Sequence, residues 1–259
     1  MIGIYFSGTG NSKYCLEYFF KCYIDDYNIF SVEEIKDSIE ILKTIDNDRN
    51  IFISYPIYFS TIPRILNEFI DNNGNFFSGK KVFIIATMNM FSGDGAGLMA
   101  RKLKKYNADI IGSVHLNMPE AISDKKKACK TIEYNSDMIK KAKLKIEKTA
   151  DLLKKGKPSK DGLSIMDFLL GFLSQRAWIG NKDFSNRLKI DSNKCIGCEK
   201  CVKLCPMKNL KLNDEKKAFP NHNCTLCYRC VNECPVKAIT LFGNEVFSQY
   251  HINDCLKQL

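Results

Sequence analysis

The sequence lacks the features of membrane-spanning, secreted and acid–base catalytic proteins. No stretch approaches the about 18 apolar residues that span a bilayer, and the first residues contain neither a basic region nor a small-residue cleavage site. We therefore expect a soluble, cytoplasmic protein without a membrane span. Only three histidines are present and no side chain stands out as an acid or a base, so we predict no catalytic residue.

Two nucleotide-binding signatures are also missing from the glycine-containing stretch SGTGNS, residues 7–12. A P-loop ends in Gly-Lys-Ser/Thr, whereas in this chain Asn11 follows Gly10. A dinucleotide-binding fingerprint needs a third glycine, and Lys13 occupies that position. The formal charge of +10 suggests an anionic partner, but no motif for reading nucleic acid grooves accompanies it, so we do not predict nucleic acid binding.

Cysteine, in contrast, is abundant, with twelve residues in the chain. Disulfides are disfavoured in an intracellular protein, so metal or redox chemistry is the better interpretation. Eight of the twelve form two runs of the pattern C-x2-C-x2-C-x3-C-P, displaced by 29 positions. The runs are Cys195, Cys198, Cys201 and Cys205, and Cys224, Cys227, Cys230 and Cys234. The scattered cysteines, which we expect to be ordinary buried thiols, are Cys15, Cys22, Cys129 and Cys255.

Zinc is the alternative to iron for these cysteines, because paired C-x2-C motifs also form four-cysteine zinc sites. Zinc needs only two such pairs, and the third cysteine of each run then has no role. Residues 188–243 resemble the two-cluster bacterial ferredoxins, which implies two [4Fe-4S] clusters. In those proteins the fourth cysteine of each run binds the cluster of the other run, which here implies Cys234 for the first cluster and Cys205 for the second.

The first 155 residues alternate β-branched runs with helix-length stretches, which is typical of a parallel sheet covered on both faces. The predicted fold class of this part is therefore α/β. Strands are predicted at 2–7, 27–32, 50–56, 81–88 and 109–117. Helices are predicted at 11–23, 61–72, 94–106 and 133–155.

The stretch SGTGNS lies directly after the first predicted strand, where the N–H groups of a helix start and nearby hydroxyls can bind a phosphate. An ordinary strand-to-helix turn with an N-cap is the alternative. With the loops after the third and fourth strands, this part resembles the flavodoxins. The resemblance implies a doubly wound five-stranded parallel sheet and bound FMN. It also implies a phosphate site formed by Ser7, Thr9, Gly10, Asn11 and Ser12.

The same resemblance places the flavin ring between two loops that follow strands. The loop after the third strand would contribute Pro56, Ile57, Tyr58 and Phe59. The loop after the fourth strand would contribute Asn89, Met90, Phe91 and Gly93. Flavodoxins often stack a tryptophan on the ring, but the single tryptophan of this chain, Trp178, lies outside both loops.

Gly156 and Pro158 break the helical pattern and set a predicted domain boundary. The apolar stretch 162–180 is interpreted as an amphipathic helix packed between two domains, with binding to a membrane surface as the alternative. The predicted parts are a flavodoxin-like FMN-binding domain at 1–155, a linker with this helix at 156–187, a small α+β two-cluster ferredoxin domain at 188–243 and a C-terminal tail at 244–259.

The whole chain resembles the flavodoxin and ferredoxin fusion proteins that are common in anaerobic bacteria. The resemblance implies an electron-transfer protein that moves electrons between FMN and two [4Fe-4S] clusters. It would act as an oxidoreductase toward a small-molecule acceptor or a redox partner protein. The alternative is a pure electron carrier whose flavodoxin-like domain only docks a partner reductase. The sequence leaves the substrate and assembly into a homo-oligomer open.

Overall fold

Five parallel strands form one sheet in the computed structural model, which describes residues 1–46, 48–92, 94–169 and 184–259. The order of the strands across the sheet is β2-β1-β3-β4-β5. This is the strand order of flavodoxin-like doubly wound folds, so the predicted fold class is confirmed. The strands are β1 Ile2–Tyr5, β2 Asn28–Ser31, β3 Asn50–Pro56, β4 Lys81–Met88 and β5 Asp109–Asn117.

Helices connect these strands, and two short ones were not predicted. The helices are α1 Asn11–Tyr23, α2 Val32–Asp37, α3 Ile39–Asp46, α4 Arg64–Asn73, α5 Gly95–Lys104 and α6 Ile132–Lys154. Helices α2 and α3 are shorter than the stretch over which helical periodicity can be recognised. Local capping defines α2 instead, because the Glu34 N–H donates to Ser31 Oγ at 3.1 Å and the Ser31 N–H donates to Glu34 Oε2 at 2.7 Å.

An aromatic cluster between α1 and the sheet forms part of the core. The rings of Phe19, Phe52 and Phe83 are buried, with centroids 5.4–5.6 Å apart. Helix α1 also packs closely on β1. Gly3 allows this approach, since a Cβ atom there would stand only 2.6 Å from the Phe20 ring. This packing holds the start of α1 next to the end of β1. None of the helices in the described ranges is long and apolar enough to cross a membrane.

The chain divides into two units, and each unit consists of two separate segments of the chain. The first unit contains Met1–Pro119 and Asp137–Gly180, and the second contains Glu120–Ser136 and Asn181–Leu259. The segment 120–136, which follows β5, therefore belongs to the second unit together with the cysteine runs. The sequence boundaries at 155 and 188 differ from this division, because they assign the segment to the first domain.

Short elements that repeat with the cysteine runs form the second unit. Strand β6 pairs antiparallel with β9, and β7 pairs antiparallel with β8. The strands are β6 Lys189–Ile190, β7 Leu210–Leu212, β8 Ala218–Pro220 and β9 Ile239–Thr240. The helices are Lys200–Leu204, Arg229–Glu233 and Ile252–Leu256, and a 3-10 turn covers Ser185–Arg187. Strands β6 and β9 belong to different repeats, so each repeat completes the other.

The backbone of the second unit reproduces the 29-residue repeat of the sequence. Glu199 and Tyr228 occupy equivalent positions and have φ angles of 60° and 59°. Lys208 and Lys237 are also equivalent, and both have a φ of 50°. None of these four residues is glycine, so the left-handed backbone is determined by the repeat rather than by local preference.

A buried carboxylate, Asp124, joins the segment 120–136 to the rest of the second unit. Its Oδ2 accepts the N–H groups of Leu241, Phe242 and Gly243 at 2.6–2.9 Å. Its Oδ1 accepts the Tyr228 hydroxyl at 2.7 Å. Burial alone would raise the pKa of Asp124, but these hydrogen bonds outweigh it and lower the pKa. The ionised side chain therefore holds the turn after β9.

The chain after α6 pairs with the edge of the sheet instead of leaving it at once. The Ser113 N–H donates to Ser159 O at 2.8 Å, and the Asp161 N–H donates to Ser113 O at 3.3 Å. Gly112 makes room for this pairing, because a Cβ atom there would lie 2.7 Å from Ser159 O. Of the predicted amphipathic helix, residues 165–169 are helical, and 170–183 lie outside the described residues.

We expect Asp124→Asn to weaken the second unit, because charge-assisted hydrogen bonds contribute about 1.5–3 kcal/mol. The folded-state pKa of Asp124 is lowered, so its contribution is present above its unfolded pKa of about 3.9. That contribution is lost as the pH falls through the lower folded value. Urea unfolding of the full chain should therefore show a difference between wild type and variant at pH 7 that shrinks at acid pH.

Hydrogen exchange gives a local measurement of the same effect. The amides of residues 241–243 should exchange faster in Asp124→Asn at pH 7, because the variant offers them a neutral acceptor. Glu245→Gln is the matched control, since Glu245 is an exposed carboxylate close to the same turn. Equal exchange rates in Asp124→Asn and Glu245→Gln would contradict the role of Asp124.

Candidate functional site

Two cavities in the second unit are each lined by four cysteines, three from one run and one from the other. The first cavity is lined by Cys195, Cys198, Cys201 and Cys234. The second cavity is lined by Cys205, Cys224, Cys227 and Cys230. The two repeats thus form cavities of similar size. The structure thus brings the fourth cysteine of each run to the cavity of the other run.

Left-handed turns between the cysteines direct their side chains to one cavity. Gly197 has a φ of 70°, and a Cβ atom there would lie 2.5 Å from Lys216 O. Glu199, with a φ of 60°, then starts the short helix Lys200–Leu204, which contains Cys201. Glycine is needed at position 197 because the close approach to Lys216 O leaves no room for a side chain, and its left-handed φ angle favours glycine as well.

Backbone amides point at several of the sulfur atoms. The Asn209 N–H lies 3.2 Å from Cys205 Sγ, and at the equivalent position the Ala238 N–H lies 3.3 Å from Cys234 Sγ. The Leu226 N–H lies 3.3 Å from Cys224 Sγ. Amide hydrogen bonds to sulfur stabilise thiolate ligands and help to set the reduction potential of an iron-sulfur cluster. The donor set therefore fits such clusters.

The thiols are unfavourable as free anions in these cavities. Burial, followed by the neighbouring sulfurs, raises the pKa of Cys201 to about 11, and burial raises the pKa of Cys227 to about 12. A metal ion that replaces the protons compensates for this, because metal ligands bind as thiolates. Among the described residues, no group of three or more histidine, cysteine or carboxylate side chains is arranged to hold a single metal ion.

The remaining four cysteines stand apart from the cavities. Cys15 and Cys255 are buried, and Cys22 and Cys129 are partly buried. Burial raises the pKa of Cys255, and it raises that of Cys15 well above the ordinary thiol value. These thiols are protonated at neutral pH, in agreement with their expected role as ordinary packing residues.

The phosphate loop predicted at residues 7–12 lies between the end of β1 and the start of α1. Gly10 has a φ of 98°, so this position requires glycine, and its N–H donates to Ser7 Oγ at 3.1 Å. The hydroxyls of Ser12 and Thr87 lie 2.8 Å apart, and Asn11 Nδ2 donates to Pro119 O at 2.9 Å. The loop is therefore fastened to β4 and to the end of β5. Thr9 is half-buried.

The loop after β3 forms a tight two-residue turn. The Thr61 N–H donates to Tyr58 O at 2.9 Å, and the Tyr58 N–H donates to Thr61 O at 3.2 Å. Between them, Phe59 and Ser60 have φ angles of 49° and 59°. Both central positions of such a turn favour glycine or asparagine, so an aromatic residue at position 59 carries backbone strain. Strain of this kind concentrates at ligand-binding sites.

The loop after β4 presents apolar side chains to solvent. Met90 is 82% exposed and Phe91 is 58% exposed. Asn117 Nδ2 donates to Asn89 O at 2.8 Å and thereby ties the start of this loop to β5. Two neighbouring large apolar side chains at this exposure are unusual for a loop with no ligand to cover them. Gly93, which the sequence also assigned to this site, lies outside the described residues.

The loops after β3 and β4 meet at the carboxyl edge of the sheet. The Ile57 N–H donates to Thr87 O at 2.8 Å, and a Cβ atom at Gly95 would stand 2.4 Å from Ile57 Cδ1. Pro56 and Thr87 are paired in the ladder between β3 and β4. Since parallel strands end at one edge, all three predicted loops lie at the carboxyl edge of the sheet, where such folds bind ligands.

Sequence reasoning missed the residues that support the loop after β4. Ser92 Oγ and the ring nitrogen Nδ1 of His115 lie 3.2 Å apart. The backbone N–H of His115 donates to Asp161 Oδ2 at 3.2 Å. The His115 ring packs against Gly162, where a Cβ atom would stand 2.2 Å from its Cε1. Burial lowers the pKa of His115, so its ring is neutral at pH 7. No local sequence pattern reports this contact, because position 162 lies 47 residues beyond position 115.

Comparison with known proteins finds a family that matches part of the second unit. Residues 187–235 match the family described as the 4Fe-4S dicluster domain. No curated protein matches the chain.

Several solved structures resemble the first unit at low identity. The two-electron reduced flavodoxin of Megasphaera elsdenii is 17% identical, with 45% of this chain and 86% of that chain covered and a TM-score of 0.39. The Fusobacterium nucleatum flavodoxin bound to flavin mononucleotide is also 17% identical, with 60% and 96% covered and a TM-score of 0.40. The rubredoxin oxygen:oxidoreductase of Desulfovibrio gigas is 12% identical, with 60% and 36% covered and a TM-score of 0.42. These likenesses are distant, and the fold assignment depends on the strand order itself.

We expect Gly162→Ala to destabilise the first unit by about 1–3 kcal/mol more than Gly156→Ala, because a Cβ at position 162 collides with the His115 ring. The two glycines form a matched pair, since Gly162 has a φ of 73° and Gly156 a φ of 70°. No atom lies within 4 Å of a Cβ atom at position 156, so that variant reports backbone strain alone. Urea unfolding of both variants measures the difference.

A second substitution tests the cause of this effect. His115→Ala in the Gly162→Ala background should recover part of the lost free energy of unfolding, because it removes the group that the new methyl meets. Purely additive losses in the double variant would contradict a contact between the two positions.

Proposed function

From a flavodoxin-like domain joined to a 4Fe-4S dicluster domain, we propose that the chain moves electrons between FMN and two [4Fe-4S] clusters. The observation that carries the proposal is the exchange of the fourth cysteine between the two cavities. Zinc pairs of the C-x2-C type do not need this exchange, whereas it is the rule in two-cluster ferredoxins. The function follows from combining two kinds of redox group on one polypeptide.

In this proposal Cys195, Cys198, Cys201 and Cys234 hold one cluster, and Cys205, Cys224, Cys227 and Cys230 hold the other. The repeat explains why the two sites have similar sizes and equivalent amide donors to sulfur. Each cluster exchanges one electron at a time.

The flavin phosphate would lie at the start of α1, on Ser7, Thr9, Gly10, Asn11 and Ser12. The left-handed Gly10 opens the loop, and the first N–H groups of a helix have no partner within the helix. The ring would lie between Pro56–Phe59 and Asn89–Phe91, whose exposed apolar side chains a flat aromatic ligand would cover. Flavins supply one- and two-electron chemistry when bound, and the surrounding residues orient the ring and exclude water.

The proposal also covers the type of reaction, the electron acceptor and the cellular compartment. We propose an oxidoreductase of the cytoplasm, acting on a small acceptor or on a redox partner protein. Anaerobic purification should yield about eight iron atoms and one FMN per chain, because two [4Fe-4S] clusters contain that much iron. Turnover of a quinone or a nitro compound by the isolated protein would favour an enzyme, and activity only with an added protein would favour a pure carrier.

We expect Cys234→Ser to remove the cluster bound by the first cysteine run, although Cys234 belongs to the second run. The reason is that Cys234 lines the first cavity. Iron analysis should fall by about half, and electron paramagnetic resonance of the reduced protein should retain the signal of one cluster. Cys205→Ser should remove the other cluster and leave a different signal.

Cys255→Ser is the matched control, since Cys255 is a buried cysteine of the same unit that lines neither cavity. It should keep full iron content and both signals. Zinc in place of iron in the anaerobically purified protein, or loss of the same signal in Cys234→Ser and in a variant of the second run, would contradict the proposed exchange of ligands.

We expect Phe59→Asn to make the flavin-free protein more stable and to weaken FMN binding at the same time. Asparagine tolerates the left-handed backbone of this turn, so strain of about 1 kcal/mol is relieved. The aromatic ring that would pack on the flavin is lost, which should raise the dissociation constant for FMN about tenfold. Urea unfolding and fluorescence titration with FMN measure the two effects.

Ser60→Gly provides the control, because it relieves the neighbouring left-handed position and keeps the aromatic ring. This variant should gain stability without losing affinity for FMN. If Phe59→Asn binds FMN as tightly as Ser60→Gly, the proposed position of the ring against this loop is wrong.

A further inference from the structure

The two cysteine loops of the second unit are related by the repeat, but their exposure differs. In the first loop, Ile196 is 63% exposed and Cys198 is exposed. The equivalent residues of the second loop, Thr225 and Cys227, are buried, with 5% and 7% exposed. The first cysteine loop therefore lies at the surface, whereas the second is covered.

The second loop is buried because other parts of the same unit cover it. Tyr228, in this loop, donates its hydroxyl to Asp124 at 2.7 Å, and Asn232 Nδ2 donates to Ala121 O at 2.9 Å. The Tyr250 N–H donates to Asn232 Oδ1 at 2.7 Å. The segment 120–136 and the C-terminal tail thus close the second repeat. Glu199, the equivalent of Tyr228 in the first repeat, is exposed.

Charge is distributed as unevenly as exposure. Residues 188–216 contain seven lysines and four acidic residues, whereas residues 217–245 contain three basic and two acidic residues. Lys194, Lys200 and Lys203 lie next to cysteines of the first run and are exposed. Each forms an ion pair, at 3.5, 2.6 and 3.4 Å, with Asp191, Glu233 and Glu199 respectively. Exposed pairs of this kind are weak, so the lysines can still attract an external anion.

An apolar centre and a charged rim complete the surface. Ile196 lies one position after Cys195, between Lys194 and Lys200 along the chain. Transient protein interfaces combine an apolar centre with a polar rim, and complementary charge mainly raises the rate of encounter. We call residues 191–203 the cysteine-loop surface.

We propose that the cysteine-loop surface is the docking site for an acidic one-electron carrier protein. The inference depends on the proposed function, because it assumes a cluster in the cavity of Cys195, Cys198, Cys201 and Cys234. One electron passes between this cluster and the docked carrier, so that one of them is oxidised as the other is reduced. The exposed loop shortens the distance for this step, and the covered second loop lengthens it.

Electron transfer to two carriers of opposite charge tests the proposal. The full chain with its clusters is reduced by dithionite under anaerobic conditions and mixed with oxidised plastocyanin, an acidic copper protein, or with oxidised cytochrome c, a basic haem protein. Plastocyanin should be reduced faster at low ionic strength, and its rate should fall as salt is added. Cytochrome c should show the opposite salt dependence or none.

Two double variants distinguish the effect of a local docking site from the effect of the overall net charge. Lys194→Gln with Lys203→Gln should lower the rate with plastocyanin about three- to tenfold at low salt, because both lysines flank the exposed loop. Lys125→Gln with Lys126→Gln removes the same charge from exposed positions on the segment 120–136 and should change the rate less than twofold. Equal effects of the two double variants, or no effect of the first, would overturn the proposal.

Iron content and visible absorption are measured on the same samples. Samples that carry about eight iron atoms, but in which the lysines of the cysteine-loop surface do not matter, overturn the docking site alone. Samples that contain no clusters overturn the proposed function, and the docking site with it.

Discussion

The second unit depends on one constraint, which is that neither cysteine repeat can complete its own cavity. Cys234 leaves the second repeat to line the first cavity, and Cys205 makes the reciprocal crossing. Pairing of Lys189 with Thr240 repeats this exchange at the level of the backbone. Two halves that complete each other must fold together, so metal binding and folding of this unit are coupled. Strand pairs this short would contribute little stability alone.

In the first unit, the parallel sheet places the ends of β1, β3 and β4 at one edge. Hydrogen bonds fasten the loops after β1 and β3 to β4, as the contacts of Ser12 and Ile57 with Thr87 show. The strained backbone of the turn at Phe59 is held in place by the strands and helices around it. The chain after α6 also stabilises this edge, because it runs along β5 and Asp161 accepts a hydrogen bond from the backbone of His115. This edge of the sheet is thus stabilised from outside the loops that form it.

The sequence predicted much of this arrangement, and the failures have physical reasons. β-branched runs located β3, β4 and β5 to the residue, because buried parallel strands are nearly continuous apolar stretches. The resemblance to the two-cluster ferredoxins likewise implied both sets of cysteines that line the cavities. The membership of the segment 120–136 was not predictable, since Asp124 is followed by lysines and reads as an ordinary polar loop. Its partners lie 104–119 positions away along the chain.

The placement of this segment affects how the protein can be divided. The chain runs from the first unit into the second at residue 120, returns at 137 and enters the second again at 181. A cut in the linker before the cysteine runs would therefore separate the segment 120–136 from the rest of the second unit. Tyr228 and the turn at 241–243 would then lose their hydrogen bonds to the Asp124 carboxylate. Recombination that transplants the cysteine region alone would fail for the same reason. The two units are thus interleaved along the chain and cannot be separated by one cut.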